Sequence, residues 1–102
     1  QVSYLYDPLH PAVLMLLSHI ISSADKANIP VSMCGEMAGD PKLTRLLLGL
    51  GLRQFSMFSS QIPAFKQRVK QSDISEITPL VKRILRHDEP SKIQELIDRL
   101  NM

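Results

Sequence analysis

From Pro11 onward the apolar residues Val13, Leu16, Leu17, Ile20, Ile21 and Ala24 recur at helical spacing. A proline in the first turn of a helix forgoes only an N–H that would have no partner there. The spacing predicts an amphipathic helix of about four turns, opening at His10-Pro11 and ending near Asn28. Ile29-Pro30-Val31-Ser32-Met33-Cys34-Gly35 then alternates apolar with small or polar residues and stops at a glycine, which reads as a short buried strand with Cys34 at its C-terminal end. Past a loop at Glu36-Met37-Ala38-Gly39, Asp40 offers an N-cap with Pro41 at the first helical position, and Leu43, Leu46, Leu47 and Leu50 supply a buried stripe. Gly51 suits a left-handed C-cap.

Arg53-Gln54-Phe55-Ser56-Met57 is a second short strand, followed by a Ser59-Ser60 turn and a helix start at Pro63, with Ile62, Phe65 and Val69 on one face. From Ser72 the pattern changes. Asp73 and Glu76 resemble a capping box ahead of Ile77, Leu80, Val81, Ile84 and Leu85, with Pro79 as an alternative start. Ser91 begins a last helix carrying Ile93, Leu96, Ile97 and Leu100.

Strands alternating with helices imply parallel pairing through right-handed crossovers. Two parallel strands alone leave both edges unprotected and cannot be covered from both faces, so further partners are expected from elsewhere. The short-looped β/α alternation suits the end of a larger barrel or doubly wound sheet, with an isolated α/β sandwich as the alternative. The organisation is read as 1–71 for the β/α units and 72–102 for a C-terminal helical segment of the same domain. No internal repeat beyond the β/α unit and no low-complexity linker interrupts it.

The chain has 102 residues, 44% of them hydrophobic and 22% charged, which is enough apolar material for a real core. The net charge of +2 comes from residues scattered along the chain with no Lys/Arg block, so nucleic-acid and anionic-membrane binding gain no support. Its longest apolar run, Ala12 to Leu17, is far short of a membrane span, and with no leader-like opening the expected compartment is the cytoplasm. A single cysteine and three scattered histidines make neither an internal disulfide nor a metal site at a recognised spacing.

Cys34 is therefore structural or reactive. The run Met33-Cys34-Gly35-Glu36-Met37-Ala38-Gly39-Asp40-Pro41 puts a thiol, two glycines and two carboxylates at a strand-to-helix corner, where α/β barrels build their active sites. A thiol there can serve as acid, base or nucleophile, whereas a buried free cysteine behaves as a small hydrophobe. Glu36 is a candidate pocket carboxylate or one held by backbone amides of the glycine-containing loop. Asp40 reads as a helix cap. His10, His19 and His87 lack triad-like context and suit capping, packing and surface roles, while the methionines fill core.

That motif, followed by Leu46-Leu47-Leu48-Gly49-Leu50-Gly51 and Phe55-Ser56-Met57 and preceded by Tyr4-Leu5-Tyr6-Asp7-Pro8 and His10-Pro11-Ala12-Val13-Leu14, resembles Enzyme I of the bacterial sugar phosphotransferase system, the phosphoenolpyruvate-protein phosphotransferases. The resemblance covers nearly the whole chain. It implies an α/β fold that is the C-terminal fragment of a (β/α)8 TIM barrel, its last two strands and their helices, followed by C-terminal helices. It also implies phosphoryl transfer from phosphoenolpyruvate to an enzyme histidine and on to an HPr-type phosphocarrier, with pyruvate released. Cys34 would be the proton donor to enolpyruvate, with Gly35 and Glu36 supporting the substrate pocket. The phosphorylated histidine, the arginine clamp and the ligands of Mg2+ would lie upstream of Gln1, so the chain alone is expected to be inactive, and a homodimer is expected.

The related dikinases and phosphoenolpyruvate synthases share the cysteine motif but commonly carry histidine where Met37 stands and Gly-Gly where Ala38-Gly39 stands. The same fragment from one of them is the alternative reading. A different class is a non-catalytic module that self-associates through apolar faces. A thiol redox role lacks a second cysteine.

Overall fold

The computed structural model describes residues 9–102. It is a mostly helical α/β arrangement: α1 (Pro11–Lys26), β1 (Ser32–Met33), α2 (Glu36–Gly39), α3 (Thr44–Leu50), β2 (Gln54–Phe55), a 3-10 turn (Ser59–Gln61), α4 (Ile62–Lys70), α5 (Ile74–Ile84) and α6 (Pro90–Leu100). The two strands pair in parallel, with Ser32 opposite Gln54 and Met33 opposite Phe55. Ser56 N extends the ladder to the Met33 carbonyl at 2.8 Å.

Helix α3 sits at the centre, packed against α1, α4, α5 and α6. Its Leu46 and Leu47 meet Leu14 and Ile21 of α1, Ile77, Val81 and Ile84 of α5, and Ile93, Leu96, Ile97 and Leu100 of α6 in one hydrophobic core. The α3 and α5 axes approach closely because Gly49 presents no side chain. A Cβ there would overlap the Val81 side chain and lie 2.8 Å from Ile77 Cγ2. Gly51 closes α3 with φ 108°, the left-handed cap its position predicts.

The ends of the chain segments are tied by polar groups. Arg45 Nη1 donates to the carbonyls of Leu100 at 2.9 Å and Met102 at 3.2 Å, Nη2 to Gln71 O at 3.2 Å and Nε to Ser72 Oγ at 3.0 Å. Asn101 Nδ2 returns to the Lys42 carbonyl at 2.8 Å. These bonds fix the α6 terminus and the α4–α5 junction to the start of α3.

Several expectations need correcting. The helix expected from Pro41 starts at Thr44, because Asp40 organises a separate turn: its Oδ1 accepts from Lys42 N and its carbonyl from Leu43 N, each at 3.0 Å. The loop at 36–39 is a single helical turn, too short to show a periodicity. Both strands are shorter than expected, and Ile29 is 60% exposed, since each strand has only one neighbour among the described residues and Pro30 has no N–H for a ladder. On α1 the inward residues are Leu14 and Ile21, whereas Leu16 and Ile20 face outward. Helix α5 runs through Pro79 from an Asp73 cap, so the earlier of its two expected starts holds.

Candidate functional site at the end of the first strand

Cys34 follows β1 directly and is exposed. The chain can leave the strand there because Gly35 takes φ 80° and ψ −159°, a backbone region open essentially to glycine alone. Glu36 then begins α2, and Ala38 anchors that turn by full burial. The result is a short pedestal, buried at Ala38, that lifts the thiol and the Glu36 carboxylate toward solvent.

The two site candidates beside Cys34 differ in character. Gly35 acts through its backbone: no atom would lie within 4 Å of a Cβ placed on it. Glu36 is exposed, and among the described residues its carboxylate takes no hydrogen bond, so it is not held by loop amides. Asp40, read as a helix cap, instead shapes the turn that joins the pedestal to α3.

The second strand delivers a second loop to the same end of the sheet. Beyond β2 come Met57, the 78% exposed Phe58 and the 3-10 turn, whose Gln61 lies against Gly39 of the Cys34 loop. The sequence predicts only a Ser59-Ser60 turn here and gives no sign of Gln61. No local pattern marks it, since its contact is with a residue a whole β/α unit earlier.

His10 caps α1, its Nδ1 accepting from Ala12 N at 3.1 Å, while His19 is exposed on α1 and His87 lies just past α5. The Tyr4-Leu5-Tyr6-Asp7-Pro8 run lies outside the described residues. Among the described residues no three His, Cys, Asp or Glu side chains gather closely enough to hold a metal ion.

Two open clefts lie elsewhere. One of about 430 Å³ runs beside Asp40, Lys42, Gln94 and Asp98, and one of about 570 Å³ beside Phe55, Phe65, Val69 and Ile74. Neither includes Cys34. No helix among the described residues is long and apolar enough to cross a membrane.

Comparison with known proteins agrees with this arrangement at the level of the family. Residues 1–74 match the model of the phosphoenolpyruvate-binding domain of phosphoenolpyruvate-utilising enzymes. The chain is 48% identical over 91 residues to a phosphoenolpyruvate-protein phosphotransferase of Cupriavidus necator, covering 89% of this chain and 16% of that protein. Proteins of the same name from Haloferax volcanii and Listeria monocytogenes are 40% and 39% identical over 97 and 99 residues, covering 95% and 97% of this chain and 17% of each relative. The chain thus spans about a sixth of the length of these relatives.

Proposed function

The chain belongs to the phosphoenolpyruvate-binding domain family of phosphoenolpyruvate-utilising enzymes, and on that premise we propose that it is one part of a phosphoenolpyruvate-protein phosphotransferase in which Cys34 protonates enolpyruvate. The observation that supports this reading best is the placement of Cys34: an exposed thiol at the C-terminal end of a parallel strand, set on a glycine turn. In barrel enzymes that end of the strands carries the reacting groups.

The full-length protein, in this reading, transfers the phosphoryl group of phosphoenolpyruvate to one of its own histidines and then to an HPr-type carrier, in either the sugar or the nitrogen-regulatory branch of the phosphotransferase system. The phosphorus–oxygen bond to the enol oxygen breaks, and the oxygen keeps the electron pair. As the carbonyl of pyruvate forms, the methylene carbon takes the proton of the Cys34 S–H, and the thiolate regains a proton from water. Cys34 needs no covalent bond to substrate. Gly35 sets the direction of the thiol, and Glu36, free of loop amides, is a polar wall of the pocket. Magnesium, when bound, would neutralise charge on the phosphate. Its ligands would come from parts of the protein outside this chain.

In the same reading β1 and β2 are the last two strands of a (β/α)8 barrel, with 72–102 a helical segment closing the domain. The protein works as a homodimer in the cytoplasm, and this chain alone is inactive. The test is Cys34→Ala in the full-length enzyme. Turnover should fall by about a hundredfold or more while the affinity for phosphoenolpyruvate stays within a few-fold, because the lost interaction belongs to the transition state. Cys34→Ser should also be poor, a hydroxyl being a far weaker acid. Near-normal turnover in both, with only a lower melting temperature, would identify Cys34 as a packing residue.

A further inference from the structure

The segment that carries Cys34 has little packing of its own. Cys34, Gly35 and Glu36 are all exposed, and nothing surrounds the outer side of Gly35. Its position is therefore set by its anchors. At one end Met33 is held in the ladder, opposite Phe55 and accepting from Ser56 N at 2.8 Å. At the other end Ala38 is fully buried and Met37 packs against the core, and beside them the carboxamide of Gln61 occupies the space where a side chain on Gly39 would stand, with Cδ, Nε2 and Oε1 all against it.

Gln61 is itself fixed. Its N–H donates to the Phe58 carbonyl at 2.9 Å, and its Oε1 accepts from Phe58 N at 3.1 Å. The side chain is folded back over its own turn, and Gly39 leaves the room for it. One residue thus joins the two loops that leave the C-terminal ends of β1 and β2.

From this geometry we propose that Gln61 is a positioning residue for Cys34, acting through Gly39 and the single turn of α2. The proposal rests on the proton-donor reading of Cys34. A proton donor is effective only when held close to its carbon, and displacement by about 1 Å can cost a hundredfold in rate. Phosphoenolpyruvate binding does not depend on this brace, so the cost falls on turnover.

The experiment compares Gln61→Ala, Cys34→Ala and the double variant in the full-length phosphotransferase. Gln61→Ala should lower kcat by about tenfold or more and leave KM for phosphoenolpyruvate within about twofold. In the Cys34→Ala background the same change should have no further effect on the residual rate, since the group it positions is gone. Gln61→Glu keeps an acceptor for the Phe58 N–H and should recover most of the rate, whereas Gln61→Met fills the space without one and should not. If Gln61→Ala does not fold, the Glu and Met variants carry the comparison, and equal kcat in the two overturns the proposal. An undiminished kcat in Gln61→Ala, or a loss that persists unchanged without the thiol, overturns it as well. Normal turnover in Cys34→Ala would instead sink the proton-donor reading itself, and this proposal with it.

Discussion

Arg45 Nη1 donates to the Leu100 carbonyl at 2.9 Å, so the first turn of α3 holds the last turn of α6. Four further acceptors or partners converge around this contact: Met102 O, Gln71 O, Ser72 Oγ and, through Arg68, the Asn101 carbonyl. A planar guanidinium presents five donors in a fixed fork, whereas an ammonium has three clustered on one atom and cannot span acceptors set this far apart.

Arg45→Ala should therefore destabilise the fold by about 1–3 kcal/mol, because the part-buried Leu100 carbonyl and Ser72 hydroxyl lose a charged donor together. Arg45→Lys should recover less than half of that loss. Urea denaturation followed by circular dichroism measures both. Equal stability of all three proteins would show that the carbonyls are satisfied by water instead.

Gly49→Ala sets two effects against each other. Alanine gains about 1 kcal/mol over glycine in a helix interior, but overpacking a core costs about 1–3 kcal/mol. The overlap with Val81 decides the sign, and the variant should be less stable than the parent. Adding Val81→Ala should reverse part of the loss, giving a coupling between the two positions in a double-mutant cycle.

Asp73 caps α5, and its carboxyl is held below the ordinary aspartate value of 3.8, first by the hydrogen bond from the Ser75 side chain and then by that from Ser75 N. A depressed native value means that the charged form is favoured by folding. The cap's contribution is thus fully present above about pH 4 and is lost as pH falls through the native value. The stability difference between the parent and Asp73→Ala should be constant from neutral pH down to that point and shrink below it. A difference that grows on acidification would contradict this assignment.

Much of the architecture is legible because it rests on local signals. Pro11 and the apolar recurrence after it define α1, Asp73 sits at the start of α5, and Ile93, Leu96, Ile97 and Leu100 are buried as their spacing requires, although α6 starts at Pro90, one residue before the expected Ser91. The parallel pairing of β1 with β2 follows from the alternation of strand and helix. The start of α3 is not legible in the sequence because Asp40-Pro41 suits a helix cap and a tight turn equally well, and only the hydrogen bonds from Lys42 N and Leu43 N separate the two. The inward face of α1 is ambiguous because apolar residues lie on more than one side of it, and Leu16 is 58% exposed while Leu14 is buried.

At the candidate site, Cys34, Gly35 and Glu36 are adjacent in sequence and were found together. Gln61 and Arg45 were not, because each works through partners distant along the chain: Gln61 against Gly39, and Arg45 on the carbonyls of Leu100 and Met102. Such contacts leave no periodicity or spacing to read.

The backbone of Gly35 has a handedness. Its φ of 80° and ψ of −159° are the mirror image of ordinary extended chain. An L-alanine placed there would touch nothing within 4 Å and would still be strained, so its cost comes from chirality and not from crowding. A D-alanine would find the same torsions relaxed. Cys34 stands immediately before that position and is the only cysteine of the chain, so a synthetic peptide beginning at Cys34 can be joined to a thioester ending at Met33 with its natural thiol restored. Cys34 is thus also the natural seam through which the stereochemistry of the glycine turn that follows it can be inverted.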